Sequence, residues 1–115
     1  MNRYAKLLQV ITSASIGKRV MILACSQSHR STLMKELRQT IDHCQLSGTR
    51  TEFVYKFPSG GLIEVFSSKS VMRRTRGRRW NFAMIDNGET SPLNDLTQDE
   101  FDELTQIASG HIHYF

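Results

Sequence analysis

Apolar residues recur at every third or fourth position near the start of the chain: Tyr4, Leu7, Leu8, Ile11 and Ala14, with Lys6, Gln9, Thr12 and Ser13 between them. This spacing predicts an amphipathic helix of about four turns. Gly17 follows, where a helix commonly ends on glycine. Residues 20–25, VMILAC, form an unbroken apolar run. Such a run suits a strand buried on both faces, as in a parallel sheet. Ser26-Gln27-Ser28 breaks the run. Leu33, Leu37, Ile41 and Cys44 then share one face, predicting a helix over residues 29–44 with Ser28 as its N-cap. Residues 45–51 read as a polar turn around Gly48. Residues 52–57 and 62–66 read as two strands joined by Pro58-Ser59-Gly60-Gly61, a hairpin signature.

Residues 67–79 form a polar, basic stretch without periodicity. Residues 80–85 are apolar enough for another buried strand, ending at Asp86. A loop with Gly88 and Pro92 follows. Thr97-Gln98-Asp99-Glu100 has the form of a capping box and opens a helix carrying Phe101, Leu104, Ile107 and Ala108, stopped by Gly110. Residues 111–115 predict a last strand. Helices alternating with apolar strands argue for an α/β domain: a largely parallel sheet, interrupted by one hairpin and covered on both faces.

The 115 residues fit one domain, residues 1–115, with no repeat and no linker. An apolar fraction of 39% is too high for a disordered chain. No apolar run approaches the roughly 20 residues that span a membrane, and the first residues lack the apolar stretch of a secretory signal. A cytoplasmic location is the expectation. Cys25 and Cys44 show no metal or redox spacing and are expected to be small buried hydrophobes.

Charge changes this picture. Residues 1–79 hold all 15 Lys and Arg with four acids, Glu36, Asp42, Glu52 and Glu64, a net +11. Residues 80–115 hold seven acids and no Lys or Arg, a net −7. A basic face for an anionic partner is one reading, and mutual neutralisation across the fold is the other. The densest cluster is Arg73, Arg74, Arg76, Arg78 and Arg79, with Lys69 just before it and the aromatic Trp80 and Phe82 just after. Guanidinium groups grip phosphate oxygens in pairs, so nucleic acid is the natural partner. Docking of this loop on Asp95, Asp99, Asp102 and Glu103 is the structural alternative. His111 and His113 alternate on the last strand and would face one side. They lack a third ligand at a recognisable spacing, so no metal site is expected. No nucleophile motif is present, and no catalytic residue is assigned.

Residues 57–89, FPSGGLIEVFSSKSVMRRTRGRRWNFAMIDNGE, resemble the central part of the large terminase subunit of tailed phages and, more loosely, of superfamily 2 helicases. In those families a hairpin with a glycine-rich turn precedes an Arg-Gly loop, and an apolar strand then ends in the Asp-Glu pair of the Walker B motif. Here the turn is Ser59-Gly60-Gly61, the Arg-Gly is Arg76-Gly77, the strand is Phe82-Ala83-Met84-Ile85, and the pair's Asp is Asp86. Gly17-Lys18-Arg19, the run 20–25 and Ser26-Gln27-Ser28 resemble the second strand of such cores and the loop after it. The resemblance covers residues 4–89 and implies a RecA-like three-layer sandwich, truncated at its first strand.

Two departures bear on activity. Asn87 stands where the families carry the Glu that polarises water, and an amide is no general base. Glu89 could substitute only if the backbone turned unusually. The phosphate-binding loop, with its glycines, Lys and Ser or Thr, precedes the first helix in those families. Here the sequence opens at that helix, and residues 12–19 fit the motif poorly. The expectation is therefore a non-catalytic module without a cofactor, with Asp86 and Asn87 as a degenerate Walker B. It would bind nucleic acid, or a protein partner such as a motor ATPase, through the Arg-rich loop, as a phage accessory or inhibitor protein would. The alternative is an ATPase or nuclease subunit whose phosphate loop comes from another chain. A further alternative is an interaction domain of unrelated ancestry.

Overall fold

Helix α1, Arg3–Ser15, forms where the apolar period predicted it. Asn2 caps it by accepting the Ala5 N–H at 2.8 Å, and Leu7, Val10, Ile11 and Ala14 are its buried stripe. Gly17 ends it with φ of +110°, a conformation that suits glycine. The chain turns straight into strand β1, Arg19–Ala24. The computed structural model describes residues 2–67, 71, 75, 78–87 and 91–115.

Helix α2, Gln27–His43, starts earlier than the pattern suggested. Its N-cap is Ser26 and not Ser28, because the Ser26 hydroxyl accepts the His29 N–H at 3.1 Å. Strand β2, Thr49–Thr51, replaces the expected polar turn. All three of its residues are exposed, so no apolar alternation marks it. Its pairing with strand β3, Val54–Lys56, defines it. Strand β4 is Leu62–Ser67, and the 58–61 turn joins it to β3 as expected. Strand β5, Phe82–Asp86, begins two residues later than expected. A 3-10 turn, Pro92–Asp95, precedes helix α3, Gln98–Ile107, whose capping box is present in full. Strand β6, Ile112–Tyr114, closes the order.

The sheet runs β2-β3-β4-β1-β5-β6. Strands β4, β1, β5 and β6 are parallel, and β3 and β2 are antiparallel at one edge. Alternate residues of the central strands feed two cores. Val20, Ile22, Ile63, Val65 and Met84 pack against α1 and α2. Met21, Leu23, Phe66, Trp80, Ala83 and Ile85 pack with Leu104 and Ala108 of the α3 region. Continuous apolar strands follow from burial on both faces.

Gly61 is where the hairpin meets the α1–β1 turn. A Cβ there would lie 1.8 Å from the Ala14 carbonyl oxygen. The two cysteines depart from expectation: Cys44 is exposed and Cys25 is half-buried. Cys44 lies one residue past the end of α2, and Cys25 sits just beyond the last strand residue that the sheet covers.

Candidate functional site

The chain leaves β1 through α2 on one face of the sheet and leaves β5 towards α3 on the other. Between the carboxyl ends of β1 and β5 the topology therefore switches, and open α/β sheets bind ligands at such points. Register sets Ala24 beside Asp86 there. Asp86 is only 4% exposed.

Both Asp86 oxygens are taken by Arg3. Its Nη1 donates to Oδ1 at 2.8 Å and its Nη2 to Oδ2 at 3.1 Å. The same guanidinium donates to Glu36 of α2, from Nε at 2.9 Å and from Nη2 at 3.0 Å. Its Cζ lies 4.9 Å from the Phe115 ring centroid. The Asp86 bond first, and the Glu36 bond second, push the Arg3 pKa above its ordinary value. Lys6 donates to the Tyr114 carbonyl. The first turns of α1 are thus tied to the ends of β5 and β6. Asn87 is exposed immediately beyond Asp86. In the expected degenerate Walker B pair, the Asp is bound internally and the amide faces solvent.

At the amino ends of the same strands lies a second cluster. Arg78 donates to Glu64 at 2.8 Å and lies with its Cζ 4.7 Å from the Trp80 ring centroid. Arg19 approaches the same ring at 5.2 Å. Trp80 is 1% exposed and meets Phe66 edge-on at 5.9 Å. The Arg19 N–H donates to the Asn81 side-chain oxygen at 2.7 Å, and the Asn81 N–H returns to the Arg19 carbonyl at 2.8 Å. Arg79 is exposed. Lys69, Arg73, Arg74 and Arg76 lie outside the described residues, as do Gly77 and Glu89.

Sequence reasoning missed three participants. Arg3 and Arg19 carry no local signal, because their partners are far away in sequence. Arg30 is 5% exposed, donates to the Val65 carbonyl at 2.7 Å and lies 3.5 Å from the Phe53 ring centroid. Its place on the buried face of α2 would have been the only hint. His111 and His113 do share a side, with rings parallel and 6.4 Å apart, and His113 meets Phe82 edge-on. Among the described residues no group of three or more His, Cys, Asp or Glu is arranged to hold a metal. None of the described helices is long and apolar enough to cross a membrane. No protein-family model matches the chain, and no curated protein matches it significantly.

Proposed function

We propose that the chain is a non-catalytic module of the terminase- or helicase-like, RecA-like kind, binding the phosphodiester backbone of nucleic acid through Arg73, Arg74, Arg76 and Arg79. The observation that carries the non-catalytic half is Arg3 on both oxygens of Asp86. A cation bound there neutralises the carboxylate that a Mg²⁺ ion would need, and it would repel the ion. Asn87 beside it supplies no base. The mostly parallel sheet, with its switch between β1 and β5, is compatible with the RecA-like reading. The binding half rests on the +11 charge of residues 1–79 and on the exposed Arg79.

The test is anisotropy of a labelled, random-sequence DNA duplex at low and moderate salt. Wild type is compared with the variant Arg73→Ala/Arg74→Ala/Arg76→Ala/Arg79→Ala. Arg78 is kept because it pairs with Glu64. Binding should weaken steeply with salt. The variant should flatten the log–log salt slope by about 3 to 4, near 0.9 for each phosphate released. Absence of binding at low salt overturns the nucleic-acid reading. Mg²⁺-ATP should leave the melting temperature unchanged, and turnover that Asp86→Ala abolishes overturns the non-catalytic one.

A further inference from the structure

Lys18 and Arg19 lead into β1, and residues 78–81 lead into β5. Because β1 and β5 are neighbouring parallel strands, their amino ends meet at one pole of the sheet. The reciprocal bonds between Arg19 and Asn81 lock the two segments side by side. Two cations, Arg19 and Arg78, thus lie against the Trp80 ring from segments about sixty residues apart, with Lys18 and Arg79 their exposed neighbours in sequence. Glu64 is a carboxylate of this cluster, and it is engaged by Arg78.

Arg19 is the anomaly. Arg3 and Arg30 each have oxygen acceptors for their guanidinium nitrogens. Among the described residues Arg19 has no carboxylate partner, and its Nε is buried without an acceptor. The Trp80 Nε1 is also buried without one. A buried donor with no acceptor destabilises a fold, and satisfied donors are the rule. Both orphan atoms are covered, so they mark a cluster short of acceptors and are not themselves the points of contact. Arg19 as a whole is half-exposed, which leaves its cation open to an anionic oxygen. A phosphodiester supplies that chemistry, and a guanidinium held against an indole is already ordered to receive it.

We infer that Lys18 and Arg19, with Arg79, form a second set of phosphate contacts on the nucleic-acid surface, organised by Trp80. This inference rests on the nucleic-acid reading above. Trp80 holds the guanidiniums in place and, being buried, does not stack on bases.

Trp80 is the sole tryptophan of the chain, so its emission reports on this cluster directly. The full chain is titrated with the random-sequence duplex while DNA anisotropy and Trp80 emission are followed together. Both should change over the same concentration range and revert with salt. Arg19→Gln should abolish the emission change and lower the salt slope by about 1. Arg19→Lys, which keeps the charge and loses the fork, should keep the slope and bind more weakly. Arg19→Gln should melt close to wild type, since it removes both a buried donor without an acceptor and the cation–π contact with Trp80. Should it misfold, Lys18→Ala carries the same slope test, because Lys18 is exposed and its side chain makes no hydrogen bond among the described residues. Normal anisotropy with unchanged emission, and with an Arg19→Gln slope equal to wild type, overturns this inference and leaves the proposed function standing. No anisotropy change for wild type overturns both. An emission change with polyglutamate and none with DNA assigns the cluster to an acidic protein and overturns the inference.

Discussion

At the scale of single residues, three arginines show how one side-chain type is used in different ways. Arg30 is a structural tie, its guanidinium folded under Phe53 and bonded to a strand carbonyl. Arg3 joins three elements by holding Asp86 and Glu36 at once. Arg19 has the cation without the acceptor. Removing Arg3 leaves Asp86 buried and unpaired, which is the costly side of breaking such a pair. Because the Arg3 side chain is 42% exposed, water recovers part of that cost. Arg3→Ala should therefore lower urea stability by about 2 kcal/mol, within the range for bonds to charged groups. Arg3→Lys should recover less than half of this, since an ammonium cannot present the planar fork. In a double-mutant cycle, Arg3→Ala should cost markedly less when Asp86 is already Asn. Equal costs in both backgrounds would show that the pair contributes nothing.

At the scale of elements, boundaries are set by caps and close approaches. Thr97 accepts the Glu100 N–H while Glu100 accepts the Thr97 N–H, so two orphan donors of α3 are satisfied. Thr97→Ala should cost about 1 kcal/mol, read as a lower urea midpoint at unchanged slope. The hairpin turn offers a contrast between neighbouring glycines. At Gly61 a methyl would strike the Ala14 carbonyl at 1.8 Å, backbone against backbone. Gly61→Ala should cost about 3 kcal/mol by forcing the turn off α1, at the upper end of overpacking penalties. At Gly60 nothing lies within 4 Å, and only the φ of +95° resists a side chain. Gly60→Ala should cost about 1 kcal/mol. If Gly60→Ala proves the more harmful, the packing account of this turn is wrong.

At the scale of the whole molecule, one sheet is shared by two cores. Trp80 belongs to the core on the α3 face, while most helical residues lie on the α1–α2 face. Because the same strands supply both, neither core can dissolve alone. Trp80 emission and far-ultraviolet circular dichroism should therefore give coincident urea transitions. Separated midpoints would mean that the faces unfold independently. The charge asymmetry also acts at this scale. Arg3–Asp86 joins the basic and acidic parts of the chain, but Arg78–Glu64 lies wholly within the basic part. Neutralisation across the fold is thus real at one end of the sheet and absent from the Arg78–Glu64 pair at the other.

The sequence by itself determined the three helices, the central strands, the hairpin turn and the α3 capping box. The helix stripes were legible in part: Leu7, Ile11 and Ala14 of α1 and Leu33, Leu37 and Ile41 of α2 are buried, while Tyr4 is exposed and Val10 is buried unannounced. These depend on periodicity and on bonds between residues three or four apart, which a sequence displays directly. It misjudged β2 and the cysteines, because exposed edge pairing and burial just past an element's end leave no periodic trace. Asp86 and the Arg-rich segment were visible as residue types, but their circumstances were not. Only the tertiary structure set Arg3 on Asp86 and Arg19 against Trp80. Those contacts span about sixty to eighty residues of chain: the packing of α1 on the sheet carries Arg3 to the end of β5, and the parallel pairing of β1 with β5 carries Arg19 to Trp80.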